Sequence, residues 1–142
     1  MPRRNTFAAA RFRGPVQFDS DLIKRGLPVA AFKLYAALLT QDSNNAPVAS
    51  VVSNSIGGEV IWTREAQGNY FGTLAGGFPA GKTLCFIGTS EEPMFYNGIR
   101  RGGGDVVQIQ TWILNTDDPG AIQWVEVDNR LQETQVFILI FN

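Results

Sequence analysis

With 142 residues and a single cysteine, the chain is long enough to build one domain core and has no partner for an internal disulfide. It contains no histidine, which removes the commonest general base and the commonest metal ligand. The formal net charge of −1 hides a division: residues 1–33 hold seven basic and two acidic side chains, net +5, and residues 34–142 are net −6.

Residues 1–28 carry no sustained periodicity and are punctuated by Pro2, Gly14, Pro15, Gly26 and Pro28. Phe7-Ala8-Ala9-Ala10 is interrupted by Arg11 and Arg13, too short for the apolar core of a signal peptide. Ser20 to Gly26 has the capping residues of one helical turn. A purely solvating tail would carry few large apolar residues, yet Phe7, Phe12, Phe18, Leu22 and Ile23 are present. The segment reads as a basic N-terminal arm, residues 1–28, ahead of a β domain, residues 29–142.

From Phe32 the apolar period is mostly two. Residues 32–41 satisfy both a helical and a strand pattern, and the turn composition of Asp42-Ser43-Asn44-Asn45 favours a strand. Val48–Val52 is short and β-branched. Glu59–Glu65 and Tyr70–Leu74 read as a hairpin joined by Ala66-Gln67-Gly68-Asn69. Residues 82–89 form an apolar strand, with Cys85 as a small buried hydrophobe. In residues 105–114, Val107, Ile109, Thr111 and Ile113 fall on one face and Val106, Gln108, Gln110 and Trp112 on the other. Residues 121–128 and 134–141 supply the last strands, separated from what precedes them by the turn Asp117-Asp118-Pro119-Gly120. About eight short strands predict an all-β, antiparallel β-sandwich or jelly-roll-like domain preceded by an extended arm.

Val136–Phe141 is apolar on both faces. Such a strand is central in a sheet or lies under a subunit interface, so Phe137, Leu139 and Phe141 are candidate oligomer contacts.

Gly76-Gly77-Phe78-Pro79-Ala80-Gly81-Lys82-Thr83 satisfies the letters of a phosphate-binding loop. That chemistry requires a helix after the lysine, and a strand pattern follows instead. Arg100-Arg101-Gly102-Gly103-Gly104 reads as a solvated turn before it reads as an anion site. The acidic pairs lack metal-ligand spacing or a cleft pattern for two carboxylates. No catalytic, cofactor-binding or metal-binding residue is expected, and the chain is expected not to be an enzyme. Trp62, Trp112 and Trp124 form a candidate sugar platform, which makes a carbohydrate-binding or adhesion module the alternative function.

The run Tyr35-Ala36-Ala37-Leu38-Leu39-Thr40-Gln41, then Asn45-Ala46-Pro47-Val48-Ala49 and Gly57-Gly58 with Ile61-Trp62-Thr63-Arg64, resembles small β-rich phage and prophage structural proteins. The likeness continues through Gly68–Leu74, Phe78–Thr83 and the terminal Phe141-Asn142, about two-thirds of the chain. The resemblance implies a virion component of head-decoration, fibre or spike-base type, assembled in the host cytoplasm. The expected partners are a capsid or tail subunit and other copies of the chain, a trimer foremost. Arg3, Arg4, Phe7, Arg11, Phe12, Arg13 and Phe18 would form the docking arm. Nucleic acid is disfavoured because no basic stripe is interleaved with aromatics. No membrane span and no small-molecule substrate is expected.

Overall fold

A computed structural model describes residues 32–88, 94–117 and 120–142, which lie within the unit Ala31–Asn142. The expected arm, residues 1–28, lies outside the described residues. The elements in chain order are β1 (Phe32–Thr40), β2 (Val48–Asn54), β3 (Ile61–Ala66), β4 (Asn69–Thr73), β5 (Thr83–Ile87), β6 (Phe95–Arg101), β7 (Val106–Asn115), β8 (Gln123–Glu126) and β9 (Thr134–Phe141). No helix among the described residues is long and apolar enough to cross a membrane.

The strands form two antiparallel sheets. Sheet A has the order β2-β1-β9-β5, and sheet B the order β3-β4-β7-β6. One edge of β7 is shared end to end: β4 pairs with Val106–Gln110, and β8 with Trp112–Asn115. The sheets pack face to face as a β-sandwich. Tyr35, Leu39, Val136, Ile138 and Ile140 of sheet A meet Trp62, Tyr70, Val107 and Ile109 of sheet B. Phe78 and Leu131, both fully buried, plug the sandwich from loops.

The alternation in β7 assigns its faces as expected: Val107, Ile109 and Thr111 are fully buried, and Gln108, Gln110 and Trp112 alternate with them on the outer face. The ambiguous segment 32–41 is strand β1. Its odd-numbered side chains Tyr35, Ala37 and Leu39 belong to the core, so the period of two prevails over local helix propensity.

β6 was not expected from the sequence. Its inward row is Phe95, Asn97, Ile99 and Arg101, in which an amide and a guanidinium break the apolar alternation.

Two glycines are required by space. Gly68 has φ +64° in the β3–β4 turn, and a Cβ there would lie 2.6 Å from the Thr111 carbonyl oxygen. A Cβ at Gly72 would lie 2.9 Å from the Trp62 ring, so the indole packs directly on the β4 backbone.

Candidate functional site

Three regions could carry function: a polar cluster at one end of the sandwich, and the outer face of each sheet. The polar cluster is built from segments far apart in sequence. Arg64 donates to Asp128 from Nε at 3.0 and 3.1 Å and from Nη2 at 2.7 Å. The Gly68 N–H donates to Asp128 Oδ1 at 3.0 Å. The Tyr70 hydroxyl lies 2.7 Å from Gln41 Oε1 and 3.0 Å from Asp128 Oδ1, with one proton for the two. Gln41 Oε1 also accepts from the Asn129 N–H at 2.6 Å, and Gln41 Nε2 donates to the Asn45 carbonyl at 3.0 Å.

The Arg64 guanidinium, with help from the Gly68, Tyr70 and Gln41 donors, holds the Asp128 carboxyl well below the usual carboxylate range. Burial, reinforced by the neighbouring Asp128 charge, pushes the Tyr70 phenol up to about 12. The Asp128 carboxylate collects these donors. The cluster clasps β1 of sheet A to β3 and β4 of sheet B through the β8–β9 connection, and it leaves no group poised for chemistry.

The phosphate-loop letters fold into a turn. The Gly76 N–H donates to Asp105 Oδ1 at 2.6 Å, Gly77 N–H to the Leu74 carbonyl at 2.9 Å and Phe78 N–H to the Gly104 carbonyl at 2.8 Å. Three amides of the loop are therefore spent internally, and Thr83 begins a strand where a phosphate loop would begin a helix. Arg101 Nε holds the Phe78 carbonyl, and Arg100 is engaged by Gln108. Burial pushes the Cys85 thiol up to about 11, offset in part by Arg101. Among the described residues, no three His, Cys, Asp or Glu side chains come together as a metal site.

The outer face of sheet A brings the three expected contact residues together and adds to them. Phe137, Leu139 and Phe141 form the outward column of β9, the column between β1 and β5. In register, Phe32 faces Phe141, Leu34 and Leu84 flank Leu139, and Ala36 and Phe86 flank Phe137. Phe32 and Phe141 are in ring contact, with centroids 6.0 Å apart. Phe86 remains 52% exposed, Leu84 49%, Phe137 42% and Phe32 41%, although these are side chains that water disfavours. Among the described residues, the one charged residue at the margin of these rows is Lys82, whose carbonyl accepts from the Phe141 N–H at 2.9 Å at the start of β5. Sequence reasoning found the β9 column but missed Phe32, Leu84 and Phe86, because only the register reveals their shared face.

The expected sugar platform is corrected. Trp62 is 7% exposed and donates its indole N–H to the Tyr35 hydroxyl at 3.1 Å. It is a core residue that no ligand reaches. Trp112 and Trp124 do come together, and Tyr96 takes the place assigned to Trp62. Tyr96 pairs with Trp112 across β6 and β7, and Trp124 sits one row further along on β8. Ring centroids are 5.3 Å apart for Tyr96–Trp112 and 6.4 Å for Tyr96–Trp124. The three rings line a shallow cleft of about 340 Å³ on the outer face of sheet B. Tyr96 escaped sequence reasoning because its strand, β6, did.

Compared with family models, curated proteins and solved structures, the chain matches none.

Proposed function

We propose that this chain is a structural subunit of a virion, a decoration, fibre or spike-base component that self-associates through the outer face of sheet A. The observation that carries the self-association is the apolar face of Phe32, Leu34, Leu84, Phe86, Phe137, Leu139 and Phe141 on three strands already packed on their other side, with Lys82 only at its margin. Aromatic enrichment and charge depletion are the signature of an interface centre. A face whose centre is without charge meets its own copy about a symmetry axis with no like-charge repulsion there. The virion setting rests on the resemblance of residues 35–87 and the terminal strand to phage structural proteins, and a trimer is the favoured assembly. The net +5 segment at the start supplies a docking arm for an acidic neighbour, with phenylalanines as anchors and arginines to orient the approach.

The experiment is the native mass of the purified protein beside that of Phe86→Glu/Phe137→Glu. A single oligomeric species that the double substitution converts to folded monomer is the expected result. As a control, Val52→Lys on the exposed edge strand β2 leaves the oligomer intact. A monomeric parent, or an oligomer broken by Val52→Lys and untouched by the double substitution, overturns the reading.

A further inference from the structure

We propose that the Tyr96–Trp112–Trp124 cleft, with the polar rows beside it, is a binding site for a pyranose unit of a neutral oligosaccharide. The rings are not core: Tyr96 is 56% exposed and Trp124 53%. Aromatic faces carry negative potential and attract the positively polarised C–H groups on the flat side of a sugar ring. The cleft volume falls in the range of about 300–1,000 Å³ usual for ligand sites. Gly98 shapes its floor. A Cβ there would stand 3.3 Å from the Tyr96 ring and 3.4 Å from the Trp112 ring, so the missing side chain lets both rings lie down against the sheet.

The neighbouring rows on the same face supply the polar half of the site. Gln110 pairs with Gly98 on one side and with Asn69 on the other. Gln108 pairs with Arg100 and Phe71. These side chains hold one another in place. Arg100 donates to Gln108 Oε1 at 2.9 and 2.7 Å, Gln108 Nε2 to Asn69 Oδ1 at 2.8 Å, and Gln110 Nε2 to Glu126 Oε1 at 3.1 Å. Successive rows along a strand face are about 7 Å apart, so a sugar on the rings places the next unit of its chain over the amides.

The chemistry of those rows selects the occupant. Amides, a carboxylate and a guanidinium offer donors and acceptors together, and a hydroxyl is also both. A proline-rich peptide presents carbonyl acceptors and would leave Glu126 and the amide oxygens unmatched. Arg100 and Glu126 cancel in charge, so a neutral sugar fits better than a sulfated or phosphorylated one.

The test titrates the full chain with chitohexaose, cellohexaose and maltohexaose, and screens it on an array of bacterial-surface and host glycans. Indole emission is the readout, with buried Trp62 as the silent member of the three tryptophans. Saturable binding to a neutral glycan is expected, weakened about ten-fold or more by Trp124→Ala and by Tyr96→Ala, and several-fold by Gln110→Ala. Phe86→Glu/Phe137→Glu leaves the site's affinity unchanged, and Trp124→Ala leaves the oligomer mass unchanged. Failure of the sugar site and failure of the self-association are therefore separable. Absence of saturable binding to any glycan tested overturns the proposal. So does binding that the ring substitutions leave intact, or a proline-rich peptide captured in preference to every sugar.

Discussion

Asp128 shows what a single side chain contributes here. It ties together Arg64, Gly68, Tyr70 and Gln41, residues 58 to 87 positions away. No local pattern marks it: in the sequence it is one acid in a strand-to-turn transition. Its worth is pH dependent. The carboxyl ionises at lower pH in the folded chain than its ordinary value of about 4. The stabilisation is therefore complete above that value and lost as pH falls below it. Asp128→Asn is expected to unfold at lower denaturant than the parent at pH 7, with the gap closing toward pH 2. Equilibrium unfolding at both pH values measures it, and a gap independent of pH would show that the charge contributes nothing. Trp62 and Trp124 make the complementary point. Both are tryptophans in strand-patterned sequence, yet one is core and the other surface, because Gly72 opens a place for the first ring and β8 flanks the sheet with the second exposed.

At the scale of elements, strands with clean alternation were legible and strands with polar inward rows were not. β7 declares itself by alternation, its one polar core position, Thr111, being small and hydrogen-bonded to the Val127 carbonyl, and β9 declares itself by a continuous apolar run. β6 conceals itself because Asn97 is buried in its inward row and Arg101 reaches a loop carbonyl instead of solvent. Turns were legible from composition, but their tightness was not. The β3–β4 turn packs so closely on β7 and on the start of the β8–β9 connection that Gly68→Ala would collide with backbone atoms of Thr111 and Val127. The substitution is expected to cost more than about 1 kcal/mol, because left-handed strain adds to the collision. A thermal midpoint within a degree of the parent would contradict that reading of the turn.

At the scale of the molecule, the sandwich presents two dissimilar outer faces: an aliphatic and aromatic one on sheet A, and a ringed cleft beside paired polar side chains on sheet B. Neither dissimilarity was legible before the register was known, since each face draws its side chains from three or four strands. The division of charge was legible at once and bears on the proposed arm. Deleting residues 1–18 is expected to leave the melting curve of the sandwich unchanged and to abolish incorporation into particles. Particles that carry the truncated chain at normal occupancy would exclude a docking role for the arm.

β9 pairs along its whole length with β1, Phe141 opposite Phe32, and sits between β1 and β5. During translation the hairpins β1–β2 and β3–β4 are complete long before β9 exists, but sheet A has no middle. Its closure waits for β9, and non-local pairing of this kind is slow. The same strand carries Phe137, Leu139 and Phe141, so the apolar face comes into being only once β9 has been made. Copies that have not yet made β9 expose fragments of that face but never the whole of it, so under the proposed self-association the order of synthesis would delay assembly until β9 is in place.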